Sequence, residues 1–464
     1  MSPMDRAQPT GQPAGTLLWA PRAWIDGAWR ERVVLAIDAQ GHWQQITPDQ
    51  PCPPQAQTLP GPALPGLVNA HSHAFQRAFV GLAERRDSPH DDFWSWRDRM
   101  YGVALRITPE QLRAVATHLY TELLAGGYTQ VCEFHYLQHA PDGQRYAEPA
   151  AMALALARAA QDTGIGLTLL PVLYERAGFT QPQLRQDQRR FATQVAEVLA
   201  LQHALHGAGP RVTAGVAVHS LRAAHAASIT ALASAFEGGP LHIHVAEQTA
   251  EVEDCIAATG CRPIEWLARQ APLDARWHLV HATHATPWEI DAVAASGASV
   301  VLCPGTEANL GDGLPDLPRW LAAGVPLAVG SDSQVIRAWP EELRWLEYGQ
   351  RLVLRQRNVA ALPGVQPATA ARLFDRLLAG GAAAAGFQRW GLVAGARADL
   401  LVLDQGGASL AGLPGSHLLD GLVFAAPGRP FSAVMVAGRW ALLDRPEAQA
   451  AHGRVLQALH AVPG

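Results

Sequence analysis

Between residues 64 and 385, short apolar runs alternate with longer stretches rich in Ala, Leu, Glu and Arg, and this alternation strongly constrains the fold. Each run has about five to eight residues and is almost continuously apolar, as is typical of strands buried on both faces of a parallel sheet. Strands that alternate with helices imply such a sheet, and about eight units favour a closed (β/α)8 TIM-like barrel. The apolar runs are LPGLVNA, YTQVCEFHY, IGLTLLPVLY, VTAGVAVHS, PLHIHVAE, WHLVHAT, ASVVLCP and VPLAVGSDS. The predicted helices between them include 109–126, 148–162, 184–205, 248–258 and 285–297.

The two ends of the chain have a different, β-rich character. Tryptophans and β-branched residues bounded by Gly and Asp, which are strand and hairpin cues, occur at 16–60, 398–404 and 432–444. We therefore predict an α/β protein with a (β/α)8 TIM-like barrel and one small β-sandwich-like domain assembled from both termini. Residues 1–63 begin that small domain, residues 64–385 form the barrel, and residues 386–464 complete the small domain and add a terminal helix.

Composition excludes several classes of function. The chain contains no lysine, so a Schiff-base lysine, a P-loop lysine and a metal bridge built on a carboxylated lysine are all excluded. A net charge of −5 argues against a nucleic-acid binder, which usually has a basic face. The five scattered cysteines form no CxxC pair. No leader and no membrane span are evident, so we expect a cytoplasmic protein without a membrane partner.

Polar residues that can bind metals or carry protons stand at the carboxyl ends of these apolar runs. Active sites of such barrels lie at that edge, and His71 and His73 face the same side because they are two residues apart on a strand. Imidazole nitrogens together with a carboxylate suit Zn²⁺, with Fe²⁺ as the alternative. The residues at these ends are His71, His73, Glu133, His135, Tyr136, His219, His242, His244, Glu247, His281 and Asp332.

A single histidine at a strand end is more often a hydrogen-bonded structural residue than a ligand. We interpret His242 and His284 in this way. The pair His71 and His73 is different, because two imidazoles that face one way favour a metal. The recurrence of His244, His281 and Asp332 at successive strand ends makes coincidence a poor explanation.

The segments PGLVNAHSH, HIHVAE, VHATH and GSDS, which span the predicted barrel, resemble the amidohydrolase superfamily of metal-dependent hydrolases. Members with two metals usually bridge them with a carboxylated lysine, so the absence of lysine implies the one-metal deaminase branch. Carried onto the matching positions, the resemblance implies one Zn²⁺ per subunit, or Fe²⁺ in its place. Its ligands would be His71, His73, His244 and Asp332.

A closer resemblance, from about residue 60 to beyond 400, is to the formimidoylglutamate deiminase family of histidine degradation. It rests on HSHAFQRAFVGLAERRDSPHDDFWSWRDRMY, EFHYLQH, HSLRA, HIHVAEQ, TEANLGDG and EELRWLEYGQR. The resemblance implies a homodimer in which Glu247 and His281 handle protons, with Asp332 sharing in the transfer. The implied substrate contacts are Gln76, Arg97, Tyr136, His219 and Arg222.

The residue types agree with this chemistry. Formimidoylglutamate is a small, amino-acid-derived dianion, and an arginine binds a carboxylate through two parallel N–H donors. Two other hypotheses about the function remain open. A one-metal deaminase of a purine, pyrimidine or other amidine would read a ring or amide rather than two carboxylates. A non-catalytic barrel that serves as a scaffold would lack bound metal.

Overall fold

The computed structural model describes residues 15–86, 93–404, 406–407, 409–426 and 430–461. The described part of the chain begins with five strands. The first two form a tight hairpin in which Ile25 pairs with Ala28 across the two-residue turn Asp26-Gly27. Both turn residues have positive φ angles (+50° and +72°), as an Asp-Gly hairpin turn requires. The five strands are β1 (Thr16–Ile25), β2 (Ala28–Ile37), β3 (Trp43–Thr47), β4 (Gln57–Thr58) and β5 (Ala63–Leu64).

The central sheet is parallel and closes on itself. Neighbouring strands pair in the order β10-β11-β12-β13-β14-β6-β7-β8-β9, and β8 also pairs with β10, which closes the ring. The fourth position of the barrel is divided between β9 and β10, so eight positions are filled by nine strands. The strands are β6 (Leu67–Ser72), β7 (Tyr128–His135), β8 (Gly166–Leu173), β9 (Val212–Ala214), β10 (Val216–Ser220), β11 (Leu241–Val245), β12 (Trp277–His281), β13 (Ser299–Leu302) and β14 (Leu327–Val329). The predicted (β/α)8 barrel is confirmed.

Both termini contribute to one mixed sheet outside the barrel. Its order is β17-β16-β15-β5-β1-β2-β3, with β4 also paired to β1. Strand β5 joins the two ends, because it pairs in parallel with β1 and antiparallel with β15. The C-terminal strands are β15 (Leu400–Leu403), β16 (Phe431–Val436) and β17 (Arg439–Trp440).

Helices follow most barrel strands and cover the outside of the barrel. Helices α2 and α8 begin with capping boxes, in which Thr108 and Thr286 accept hydrogen bonds from the third helical residue. The helices are α1 (Phe93–Ala104), α2 (Pro109–Ala125), α3 (Ala151–Thr163), α4 (Val195–Leu205), α5 (Ala226–Ala235), α6 (Thr249–Thr259), α7 (Pro263–Gln270), α8 (Pro287–Ser296), α9 (Pro304–Leu310), α10 (Leu317–Ala322), α11 (Trp339–Leu354), α12 (Thr369–Ala384), α13 (Leu418–Phe424) and α14 (Pro446–His460).

The helix predicted over 184–205 was wrong in its first half, since α4 begins only at Val195. Residues 188–193 instead fold inward around Arg190, which is fully buried. Its guanidinium donates to the carbonyl oxygens of His139, Ala104 and Ile107. These tertiary hydrogen bonds outweigh the local helical preference and connect this segment to the end of α1.

In the part of the chain that the structure describes, no helix is both long enough and apolar enough to cross a membrane.

Candidate active site

Four predicted metal ligands meet at the carboxyl end of the barrel. The Nε2 atoms of His71 and His73 lie 3.2 Å apart, and His71 Nε2 lies 3.0 Å from Nε2 of His244. Asp332, just beyond β14, places Oδ1 3.4 Å from Nε2 of both His71 and His73. The barrel therefore brings three imidazoles and one carboxylate to a single point, with all four residues buried.

Backbone carbonyl groups set the orientation of two of these imidazoles. Nδ1 of His73 lies 2.9 Å from the carbonyl oxygen of Phe134, and Nδ1 of His244 lies 2.9 Å from that of His219. A carbonyl oxygen can only accept, so each Nδ1 carries the proton. The Nε2 atom of each ring then carries a lone pair that faces the other ligands.

Burial keeps these imidazoles neutral. It lowers the pKa of His71 to about 3 and also lowers the pKa values of His73 and His244. For Asp332, burial alone would raise the pKa, but the hydrogen bond from His71 and the nearby imidazoles lower it below the usual range. Neutral imidazoles and an ionised carboxylate are the protonation states that metal ligation requires.

The donor set fits a cation on its own chemistry. Nε2 of His71 faces two imidazole lone pairs and one carboxylate oxygen, and a single N–H could satisfy only one of these three acceptors. A divalent cation shared by the four residues would satisfy all of them. Candidate ligand atoms of His71, His73 and Asp332 lie within 4.8 Å of one another, and so do those of His71, His244 and His281. The thiol of Cys303 is also near His281 and Asp332, but burial raises its pKa well above the ordinary value, so it is a poor ligand.

Several backbone positions at this edge adopt left-handed φ angles. Asp332 has φ +44°, His281 has φ +69° and Ala246 has φ +52°. Non-glycine residues rarely adopt this conformation, and it persists only where surrounding contacts hold it. Here it bends the chain at the ends of three strands and turns the polar side chains inward.

Glu247 and His281 form a pair beside the ligand cluster, in which His281 is buried and Glu247 is partly buried. Nε2 of His281 lies 3.6 Å from Oε1 of Glu247 and 3.9 Å from Oδ2 of Asp332. Burial raises the pKa of Glu247 to about 7. For His281 burial is the largest effect and lowers the pKa, but the carboxylates of Glu247, Glu307 and Asp332 together outweigh it and raise the pKa. A pKa of about 7 suits Glu247 to proton transfer near neutral pH, and His281 is within contact distance of it.

All five residues predicted to contact substrate line one cleft that opens onto this cluster. Tyr136 and Gln76 are buried at its floor, where the Tyr136 hydroxyl meets the Gln76 side chain. The cleft also contains Glu247, His281 and Asp332. The predicted contact residues that line it are Gln76, Arg97, Tyr136, His219 and Arg222.

Two arginines, Arg97 and Arg222, line the cleft together with the carboxylates of Glu247, Glu251 and Asp332. The Arg97 guanidinium lies over the ring of Tyr101, 5.6 Å from its centroid. The pKa of His219 is lowered well below its ordinary value, first by burial and then by the positive charge of Arg222. The cleft therefore has a ligand cluster at its base and two cations among its walls.

Tyr101 and Tyr174 also line the cleft, although the sequence analysis assigned neither of them a role. Tyr174 packs against His219 with ring centroids 4.5 Å apart. Tyr174 ends the run IGLTLLPVLY as Tyr136 ends YTQVCEFHY, so its strand-end position was the available signal, whereas Tyr101 stands at no strand end.

A network of buried polar side chains supports the first pair of histidines. Ser72, between them, donates to Glu133 Oε2 at 2.9 Å, and Glu133 Oε1 accepts from the backbone N–H of Ala74 at 2.5 Å. Gln334 Nε2 donates to Ser72 Oγ at 3.0 Å and to the carbonyl oxygen of Asp332 at 2.7 Å. Glu133 was recognisable as a polar strand end, whereas the role of Gln334 depends on closure of β14 against β6.

The remaining predicted structural histidines lie away from the cluster. Nε2 of His242 lies 2.8 Å from the carbonyl oxygen of Ala384, on the helix side of its strand. His284 follows β12 and packs beside Gly313.

Comparison of the sequence with known proteins identifies related proteins. A model of the amidohydrolase family matches residues 63–441. The formimidoylglutamate deiminase of Pseudomonas aeruginosa is 47% identical over 432 residues, which cover 92% of this chain and 94% of that protein.

Solved structures of related fold superpose on almost the whole chain. An amidohydrolase from Brucella melitensis superposes with a TM-score of 0.91 at 42% identity, covering 96% of this chain and 100% of that one. An adenosine deaminase from Xanthomonas campestris, solved with bound zinc, has a TM-score of 0.80 at 23% identity, with coverage of 97% and 100%. At that identity the second likeness shows the fold alone.

Proposed function

The chain belongs to the amidohydrolase family and is a hydrolase of carbon–nitrogen bonds, and on that premise we propose that it converts N-formimidoyl-L-glutamate and water into N-formyl-L-glutamate and ammonia in histidine degradation. The observation that carries the proposal is the placement of Arg97 and Arg222 in the same cleft as Glu247, His281 and Asp332. A dianionic amidine requires the two arginines to bind its carboxylates and the other three residues to act on its amidine group. The similarity to the deiminase from Pseudomonas aeruginosa supports the same substrate.

In this proposal His71, His73, His244 and Asp332 hold one divalent metal ion, which we assign as Zn²⁺ with Fe²⁺ as the alternative. When bound, such an ion lowers the pKa of water to about 7 and so supplies a nucleophile at neutral pH. The support is the convergence of three neutral imidazoles and one ionised carboxylate. The carbonyl partners of His73 and His244 keep the ligand rings in place before any ion arrives.

The proton-handling roles belong to Glu247 and His281. His281 Nε2 accepts a proton from the attacking water, and Asp332 Oδ2, 3.9 Å away, shares in that transfer. Glu247 holds a proton near neutral pH because burial raises its pKa to about 7. It passes this proton to the imino nitrogen, which becomes an amino group as water adds to the carbon. The proton held by His281 then moves to this amino group while the hydroxyl group returns a proton to Glu247, so that the C–N bond breaks, ammonia leaves and both side chains are restored.

The rest of the cleft binds the glutamate part of the substrate. Arg97 and Arg222 would each bind a carboxylate through two N–H donors. Gln76, Tyr136 and His219 line the space between the arginines and the ligand cluster, where the amidine would lie. Their amide, hydroxyl and imidazole groups can orient it by hydrogen bonds.

The test is ammonia release by the purified protein, measured with formimidoylglutamate, formimidoylaspartate and guanine in parallel, with metal content determined on the same sample. We expect about one zinc per chain and a kcat/KM for formimidoylglutamate far above that for the other two. Preference for guanine would support a ring deaminase, and absence of both metal and turnover would support a scaffold. Light scattering on this sample would test the expected homodimer.

A further inference from the structure

The segment TEANLGDG at residues 306–313 has no role in the function proposed above, yet it lies directly behind His281. Most of it belongs to α9 and to the turn that ends this helix. Glu307 and Asp312 within it are both buried. A buried carboxylate without a basic partner is costly, so its presence calls for a physical explanation.

Glu307 faces the ring nitrogen of His281 that points away from the cleft. Oε1 of Glu307 lies 3.5 Å from Nδ1 of His281, whereas Glu247 and Asp332 face Nε2 of the same ring. The imidazole is therefore placed between a carboxylate behind it and the reacting groups in front. At 3.5 Å the two atoms are in contact, and a small movement would shorten this contact into a hydrogen bond.

Burial and hydrogen bonds hold Glu307 in one position. Its side chain is 2% exposed, and Oε1 also accepts a hydrogen bond from the backbone N–H of Cys303 at 2.9 Å. Its backbone carbonyl accepts from the N–H of Asp312 at 2.9 Å, which closes the turn after α9. The Asp312 side chain in turn accepts from Gln248, the neighbour of Glu247. One segment thus contacts His281 directly and the chain beside Glu247.

We propose that Glu307 is a positioning residue for His281: it accepts the Nδ1 proton, so that Nε2 keeps its lone pair facing the cleft. The inference rests on the proposed function, because it deepens the role given there to His281. A base whose tautomer is fixed by a carboxylate behind it needs no reorganisation when it accepts a proton. If Nδ1 lost this acceptor, the proton could move to Nε2 and block the acceptor side of the ring.

The competing explanation is that Glu307 only stabilises the start of α9. Glu342 offers a matched control, because it is also buried and holds the same helix by accepting from the backbone N–H of Gly305 at 2.8 Å. Of these two carboxylates, only Glu307 has a contact with His281. Glu342 belongs to α11, and substitution of each residue by glutamine removes one buried carboxyl group that contacts the start of α9.

The kinetic experiment compares Glu307→Gln, Glu307→Asp and Glu342→Gln in the metal-loaded enzyme. For Glu307→Gln we expect kcat to fall by about 10²-fold or more with little change in KM, since an amide can present an N–H to the ring and favour the wrong tautomer. Glu307→Asp keeps a carboxylate and should recover much of this loss. Glu342→Gln should keep kcat close to wild type even if its Tm falls. Equal kcat in Glu307→Gln and Glu342→Gln would overturn the proposal.

A second measurement needs no turnover. In protein labelled with 15N-histidine, the His281 ring signals can be assigned by their loss in His281→Asn. We expect Nδ1 to be protonated in the wild type and the proton to shift toward Nε2 in Glu307→Gln. Inactivity of the wild type toward formimidoylglutamate would refute the proposed function, and the nitrogen spectra would still decide the role of Glu307. Identical spectra in wild type and Glu307→Gln would overturn that role.

Discussion

The Nε2 atoms of His71 and His244 lie 3.0 Å apart, although 173 positions separate these residues in the chain. His244 cannot donate in this contact, because its Nδ1 proton is committed to the carbonyl oxygen of His219. Nε2 of His71 also faces two further acceptors, Nε2 of His73 and Oδ1 of Asp332. This crowding of acceptors is unfavourable in the protein alone and becomes favourable around a cation.

Metal removal should therefore lower stability as well as activity. We expect dialysis against a strong chelator to reduce Tm, since an ion that binds only the folded chain stabilises it by about 4 kcal/mol at 1,000 times its dissociation constant. Scanning calorimetry with and without added Zn²⁺ measures the difference. His244→Asn removes one of the four ligands, so this variant should have a low metal content even without treatment by a chelator. An unchanged Tm in protein shown to have lost its metal would argue against a shared ion.

Substitution of Glu247 should separate proton transfer from metal binding. Glu247→Gln removes the titrating group while the four ligands keep their contacts. We expect metal content near one ion per chain and a fall in kcat of about 10²- to 10⁴-fold, the usual contribution of a general acid or base. Glu253→Gln, at an exposed position of α6, is the matched control. Turnover near the wild-type rate would remove Glu247 from the mechanism.

Arg222 should determine the preference for a second carboxylate. Arg222→Met is expected to lower kcat/KM for formimidoylglutamate by about 10²-fold, since a hydrogen bond to a charged group contributes about 1.5–3 kcal/mol. For a neutral formimidoyl amide the change should be small. Arg113→Met, which breaks an exposed ion pair with Asp162, serves as the control. Equal losses for charged and neutral substrates would mean that Arg222 binds no carboxylate.

Gln334 should affect metal affinity without touching the metal. Its side chain connects Ser72, between two histidines, with the backbone of Asp332. We expect Gln334→Leu to weaken metal binding about 10- to 100-fold, as is usual when the support of a ligand is lost. Gln350→Leu removes a buried glutamine that donates to Pro315 at 2.8 Å instead. Competition with a fluorescent chelator measures both variants, and equal affinities in the two would show that Gln334 only adds stability.

The sequence by itself determined the barrel and the order of its polar strand ends. Continuous apolar runs are a local property, and a residue two positions from another on a strand must share its face. The pattern of residues alone therefore assigns His71, His73, His244 and Asp332 to one edge of the sheet. The family resemblance added Arg97, which lies at no strand end, and gave Glu247 its role in proton transfer, and the similarity to known proteins confirms that resemblance.

Only the tertiary structure decided which groups stand behind these residues. Arg190 turns the first half of the predicted helix over 184–205 into an irregular segment because its acceptors lie on distant parts of the chain. Glu307 meets His281, and Gln334 meets Ser72, only once neighbouring strands have paired and the ring has closed. Local periodicity in the sequence predicts which face of its strand or helix a residue occupies. The hydrogen-bond partner on that side depends on contacts between segments far apart in sequence, and no local pattern specifies them.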